Sequence, residues 1–273
     1  MQNLRRMQAL LGTYVEISAS SPDANLEQAV SAAYASINQI QQLLSFHDSQ
    51  SDLSKLNMAK TGSQVDMHPV SLRVLRLAKA MMQKSQGLFN CTVGGSLVKQ
   101  GILPRHSSQA FLSMGQADDL QISRGRASLK RPVLITLDGI AKGYAIDCAI
   151  KVLKQHGCIA GLVNAGGDLA VFGEMSAPIY QRSLNDDAQL LGHLQNAALA
   201  SSAVRAKHDP NFPACLVGED RSPKIGVFSV IAHHAWRADA LTKVASLASE
   251  ADRVSLLTKL GGRLVAPIER EAP

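Results

Sequence analysis

Strand and helix patterns alternate irregularly along this chain, and that irregularity limits the fold more than any other feature of the sequence. A regular strand–helix repeat would specify a doubly wound parallel sheet. Its absence argues for an α+β fold, with mixed or antiparallel sheets flanked by helices. Tyr14-Val15-Glu16-Ile17-Ser18 alternates as a half-buried strand does. Ser21-Pro22-Asp23 then signals a helix start, and Val30, Ala33, Tyr34, Ile37, Ile40 and Leu44 recur at helical spacing. Residues 45–60 read as a polar loop and 65–67 as a short extended piece. Pro69 opens a second helix with Val74, Leu75, Leu77, Ala78 and Met81 on its apolar face, and Gly87 ends it.

A Gly/Ser-rich loop is expected over 90–100, and short strands and turns over 109–134. A strand at 135–137 should feed a third helix reaching about Gln155, with Tyr144, Cys148 and Val152 along one face. Strands follow at 161–164, 169–172 and 227–232, with further candidates between 176 and 223. A helix from about Trp236 to Ala248 and a last helix–strand unit close the chain. No linker or low-complexity tract divides it, so one domain over 1–273 is expected.

With 273 residues, 46% of them hydrophobic and 18% charged, the chain can bury an ample core. Only 4% are aromatic, which leaves that core to aliphatic side chains. The net charge of +6 suits an anionic ligand and equally a protein with no charged partner. No basic run with interleaved aromatics supports nucleic-acid binding. Cys91, Cys148, Cys158 and Cys215 form no CxxC pair and read as buried thiols of a reducing compartment. Gly12, Thr13 and Glu16 interrupt the N-terminus, so neither a secretory signal nor a membrane span is expected, and a cytoplasmic location follows.

Three short stretches could carry chemistry. In Thr136-Leu137-Asp138-Gly139-Ile140-Ala141-Lys142-Gly143 a strand runs into a helix through two glycines with a lysine between them. Helix starts expose unpaired N–H groups, glycine admits close backbone approach, and lysine adds a point charge for phosphate. A plain turn with a solvent lysine fits the same letters. Val163-Asn164-Ala165-Gly166-Gly167-Asp168 is a turn where ligand could meet bare backbone, or a hairpin held by Asx bonds. Asp239 and Lys243 lie four apart on one helix face, as an ion pair or with Asp239 as a hard oxygen ligand for Mg²⁺. Zinc motifs, the GxSxG elbow, the Walker loop and the GxGxxG fingerprint are absent.

Taken in order, these pieces resemble the FAD:protein FMN transferase (ApbE) family. Leu11-Gly12-Thr13-Tyr14-Val15 is similar to its M-G-T-x-V strand, and Asp52-Leu53-Ser54-Lys55-Leu56-Asn57, after Phe46-His47-Asp48, to S-x-L-S-x-L-N. Gly87-Leu88-Phe89-Asn90-Cys91-Thr92-Val93-Gly94 resembles G-x-F-D-P-T-V-G. Residues 138–147 and 163–168 resemble G-I-A-K-G-Y-A-x-D and V-N-A-G-G-D almost letter for letter. Residues 229–232 and 238–241 resemble the family's C-terminal strand and metal helix, so the likeness covers nearly the whole chain.

The resemblance implies a T-fold-like architecture of two intimately packed lobes. It also implies an Mg²⁺-dependent enzyme that moves FMN from FAD to a Thr/Ser hydroxyl of an acceptor flavoprotein and releases AMP. Thr136 and Lys142 would contact FAD, and Leu11, His47, Leu88, Phe89, Asn90 and Leu216 would line its pocket. The Gly139 carbonyl and the Asp239 side chain would hold the metal together with position 243. Three departures stand out: Thr136 replaces a usual Asp, Lys243 replaces a usual Thr, and the H-I-x-D-P-R-T-G segment survives only as Asp220-Arg221. His208 and Asp220 are the catalytic candidates that remain. A degenerate FAD-binding protein and an FAD pyrophosphatase are the alternative readings.

Overall fold

A computed structural model describes residues 1–23, 25–184, 187–205 and 223–265. The chain opens with an antiparallel hairpin, β1 (Gln2–Leu10) and β2 (Thr13–Ser21). Its two-residue turn puts Leu11 and Gly12 at φ 56° and 69°, as a tight hairpin twist demands. Leucine rarely adopts that geometry, and its backbone N–H is secured by donating to Gln41 Oε1 at 2.6 Å. Helix α1 (Leu26–Leu44) starts at an Asn25 cap that accepts from the Gln28 N–H. It is followed by α2 (Asp52–Met58), β3 (Val65–Asp66), α3 (Pro69–Lys84), α4 (Gly94–Lys99), β4 (Leu120–Ile122) and β5 (Arg126–Leu129). Then come α5 (Ala141–Gln155), β6 (Ala160–Ala165), β7 (Asp168–Phe172), β8 (Ala177–Arg182), β9 (Ala188–Leu194) and β10 (Ala198–Val204). The described chain closes with β11 (Gly226–Ala232), α6 (Ala235–Leu247), α7 (Glu250–Lys259) and β12 (Gly262–Val265).

Seven strands form one antiparallel sheet in the order β1-β2-β6-β7-β10-β11-β12. Val15, Ile17, Val163, Ala165, Ala170 and Val230 meet Val30, Ala33 and Ile37 of α1, Ala145, Ile146 and Ala149 of α5, and Leu241 and Val244 of α6 in one buried cluster. The opposite face packs Leu169, Val171 and Leu199 against Ile179, Leu191 and Leu194 of the separate β8–β9 hairpin. Covered on both faces, all five residues of β7 are buried. A three-stranded sheet, β3-β5-β4, lies beside α2 and α3. The expected α+β class, with antiparallel sheets and flanking helices, is what the chain adopts.

Several local expectations need correction. Residues 45–60 contain α2, a two-turn helix capped by Ser51, with Leu53 and Leu56 fully buried. Its brevity kept the helical period from showing. Strand β1 carries no clear alternation because it is an exposed sheet edge paired only with β2. The loop at 90–100 contains α4. Residues 135–137 are extended without joining a sheet. Asn57 of α2 takes a strand's place beside Ile135, its side chain donating to the Ile135 carbonyl at 2.8 Å and accepting from the Ile135 N–H at 2.7 Å, while the Thr136 N–H donates to the Cys91 carbonyl at 2.8 Å. On α5 the buried stripe is Gly143, Ala145, Ile146, Ala149 and Leu153, with Tyr144, Cys148 and Val152 half-buried beside it. Burial pushes the Cys91 thiol up to about 12, as an inert core thiol requires. Among the described residues no helix is long and apolar enough to cross a membrane.

Two contacts make the packing testable. A Cβ at Gly143 would lie 2.3 Å from the Ala235 carbonyl oxygen, where α5 meets the start of α6. Gly143→Ala is therefore expected to cost about 1–3 kcal/mol in urea unfolding, as overpacked sites do. Near β5, the Arg131 guanidinium donates to both oxygens of the buried Asp119 carboxylate, at 2.6 Å to Oδ2, and holds its pKa below the ordinary 3.8. A carboxyl depressed by folding stabilises above its unfolded pKa, and that contribution fades as pH falls through the folded value. The stability gap between wild type and Asp119→Asn should thus be fully open near neutral pH and narrow once pH falls below about 3.8, read as urea midpoints.

Candidate active site

The site grows out of the junction between α5 and α6. The turn before α5 draws the Ile140 and Ala141 N–H groups onto the Leu137 carbonyl. Within it, Thr136 Oγ1 donates to Asp138 Oδ2 at 2.8 Å. From the second turn of α5, Asp147 reaches the start of α6 and accepts from the Ala235 and Trp236 N–H groups at 2.9 and 3.0 Å. Those are the orphan donors that every helix start must satisfy, here capped by a neighbouring helix. With Gly143 against Ala235, the first turns of the two helices touch, and the Gly143 N–H points to Asp239 Oδ2 at 3.3 Å.

Four charges gather there. Lys142 Nζ stands 2.8 Å from Asp168 Oδ2, and Lys243 Nζ stands 2.8 Å from Asp239 Oδ1. The carboxylates are almost wholly buried, with side chains 5% and 1% exposed, while Lys142 and Lys243 remain 32% and 22% exposed. Cations therefore cap acids at the bottom of the site and face the solvent side. Burial works against the Lys142 ammonium, but the charges of Asp168 and Asp239 outweigh it and hold its pKa above the usual lysine value. Asp168 Oδ1 accepts from the Ser201 N–H of β10 at 3.1 Å. Lys243 Nζ also reaches Ser202 Oγ at 3.0 Å and Thr242 Oγ1 at 3.1 Å.

Two glycine turns flank this group. Gly166 and Gly167 join β6 to β7 at φ 63° and 100°, and Asn164 accepts from the Gly167 N–H at 2.9 Å, which is an Asx-held hairpin. A Cβ on Gly166 would press on Thr13 Oγ1, so this turn abuts the one formed by Leu11 and Gly12. Gly139 faces Lys243 and Phe89, and a Cβ there would lie 3.2 Å from Lys243 Cε and 3.3 Å from Phe89 Cε2.

Of the residues singled out from sequence, Phe89, Gly139, Lys142, Asp239 and Lys243 come together, and Leu11 sits in the hairpin turn beside the Gly166–Gly167 turn. Thr136 is buried under the turn. The Asn90 side chain is engaged by its own loop: its Oδ1 accepts from the Thr92 N–H and hydroxyl at 2.8 and 2.7 Å, and its Nδ2 donates to the Gly115 carbonyl at 3.3 Å. Leu88 is half-buried against the core, and His47 is exposed in the loop after α1. Leu216, His208 and Asp220 lie outside the described residues. Ser202 escaped sequence reading; its one signal is the serine pair in the otherwise apolar strand ALASSAV. The concavity between Phe46, His106, Phe111 and Arg131 is lined by none of the four charged residues Lys142, Asp168, Asp239 and Lys243.

The donor set does not fit Mg²⁺. Asp239 spends Oδ1 on Lys243 and Oδ2 on Gly143, and an ammonium is a competitor for oxygen, not a ligand. No group of three His, Cys, Asp or Glu that could hold a metal occurs among the described residues.

Comparison with known proteins agrees with this architecture. The model of the ApbE family matches residues 11–266. An FAD:protein FMN transferase of Rhodobacter capsulatus is 25% identical over 191 residues, which is 65% of this chain and 36% of that protein. One from Klebsiella pneumoniae (strain 342) is 25% identical over 203 residues, 68% of this chain and 60% of that protein. The chain thus spans about a third and three fifths of the lengths of these relatives. The Pseudomonas stutzeri flavinyl transferase ApbE, apo form, superposes with a TM-score of 0.77 at 20% identity, covering 93% of this chain and 87% of that one. The ApbE protein of Thermotoga maritima superposes with a TM-score of 0.79 at 24% identity, covering 97% and 94%. These two structures share the fold, and the match to the family model extends over nearly the whole sequence: the chain belongs to the ApbE family.

Proposed function

We propose that this chain is an FAD:protein FMN transferase, which passes FMN from FAD to a threonine or serine hydroxyl of an acceptor flavoprotein. The observation that carries the reading is the cluster of Lys142, Asp168, Asp239 and Lys243, drawn from α5, β7 and α6 to one place in an ApbE-family chain. In the reaction the acceptor oxygen bonds to the FMN-side phosphorus and gives up its proton. The bond from that phosphorus to the bridging oxygen breaks, and AMP leaves with the bridging oxygen. Such phosphoryl transfer asks a protein mainly for positioning and charge neutralisation. Lys142, a third exposed above Asp168, supplies charge to the phosphates. Leu88 and Leu11, both partly buried, offer apolar surface to the ring systems, backed by the buried Phe89 and by Thr136, whose hydroxyl holds Asp138. His208 and Asp220 stand as candidates to accept the hydroxyl proton, and Leu216 as a further wall. The Mg²⁺ implied by family resemblance is not used in any step, because Asp239 is engaged by Lys243.

A second reading, FAD held without transfer, is favoured by one feature: the four charges sum to zero and are paired with one another. Incubating the protein with FAD and an acceptor fragment bearing the threonine, then reading flavin fluorescence in the denatured acceptor, separates the two. Covalent flavin is expected, and Lys142→Ala should lower its rate of formation by about 10²-fold or more, the usual size for loss of one charge-stabilising group. FAD bound tightly with neither labelled acceptor nor released AMP would establish the holding role instead. FMN and AMP released in the absence of acceptor would mark a pyrophosphatase.

A further inference from the structure

We propose that Lys243 is a built-in counter-ion standing where a divalent metal would otherwise be needed, so that this site takes the diphosphate of FAD without Mg²⁺. The proposal rests on the FAD reading above. Its basis is the oxygen shell around the Lys243 ammonium: Asp239 Oδ1 at 2.8 Å, Ser202 Oγ at 3.0 Å and Thr242 Oγ1 at 3.1 Å. An ammonium has three N–H donors, and each here has an oxygen acceptor. One carboxylate and two hydroxyls are the hard oxygen donors a small cation seeks, and the cation they enclose is part of the chain.

The surroundings are shaped for the lysine. Thr242 and Ser202 bond each other at 2.7 Å, and the Thr242 hydroxyl also meets the Asp239 carbonyl oxygen at 2.8 Å, which fixes the cradle. Gly139 leaves room for the lysine stem, since a Cβ there would come within 3.2 Å of Lys243 Cε. Asp239 is 1% exposed, and a carboxylate buried that deeply without a partner is strongly unfavourable. Lys243, one helical turn along α6, supplies the partner permanently. A metal on Asp239 would have to displace this ammonium and then sit beside it. With Lys243 neutralised, Lys142, Asp168 and Asp239 would sum to one negative charge, and the need for a cation would return.

The test titrates the 273-residue chain with FAD, by flavin fluorescence, in EDTA and in excess Mg²⁺, alongside thermal melts with and without Mg²⁺ in the absence of FAD. Wild-type affinity should agree between the two conditions within about twofold, and Mg²⁺ should leave its Tm unchanged. Lys243→Thr should bind FAD about tenfold or more weakly in EDTA, recover in Mg²⁺, and gain Tm from Mg²⁺ alone. A tenfold gain of wild-type affinity on adding Mg²⁺, or a folded Lys243→Thr protein indifferent to Mg²⁺, overturns the proposal. The wild-type arms decide the matter even if the variant does not fold. Absence of FAD binding under every condition would refute the FAD reading, while the Mg²⁺ melts would still judge the counter-ion by themselves.

Discussion

The contact between the first turns of α5 and α6 is the constraint on which the charged site depends. Gly143 lets the α5 backbone lie against Ala235, and Asp147 ties the two N–H groups at the head of α6 to the flank of α5. One helix thus caps the other, satisfying donors that would otherwise be orphaned in a buried place. Lys142 precedes Gly143 and Asp239 lies one turn into α6, so the same contact brings a cation and an acid together. The sheet supplies the rest, because β7 begins at Asp168 and β10 carries Ser201 and Ser202 past the same point.

Electrostatics explains why the charges come as two pairs. Asp168 and Asp239 are too deeply buried to be left alone, and each has an ammonium at 2.8 Å along with a backbone N–H. Pairing gives each buried acid a cation and leaves the lysines, which are partly exposed, on the solvent side. An anion approaching from that side meets ammonium groups first. Gly139 stands against both Lys243 and the buried Phe89, so the charged floor borders the apolar core. That mixture suits a ligand with both phosphates and flat rings.

Much of the fold could be read along the chain wherever a period ran long enough. Helices α1 and α3 stand where three-four spacing placed them, and the β6–β7 hairpin and the β11–α6 unit stand where a glycine turn and a continuous apolar run pointed. Short elements escaped: α2 spans two turns, α4 begins at a glycine pair, and β1 is a sheet edge whose inner face, at Leu4 and Leu10, is only partly buried. Residues 135–137 misled for another reason. The Ile135 backbone is satisfied by the Asn57 side chain, and no local pattern announces a partner 78 positions away.

The candidate site divides along the same line. Local chemistry alone marked the Gly139–Gly143 turn, the Asn164–Asp168 turn and the Asp239–Lys243 spacing, because a helix start, a positive-φ glycine pair and an i,i+4 pair are each written within a few residues. What sequence left open was which partner each charge would choose. Packing decided that Lys142 would pair with Asp168 and that Ser202 would join Lys243. Those choices link residues far apart in the chain. They follow from burial, which makes an unpaired charge too costly to leave, and burial belongs to the folded whole and not to any stretch of letters.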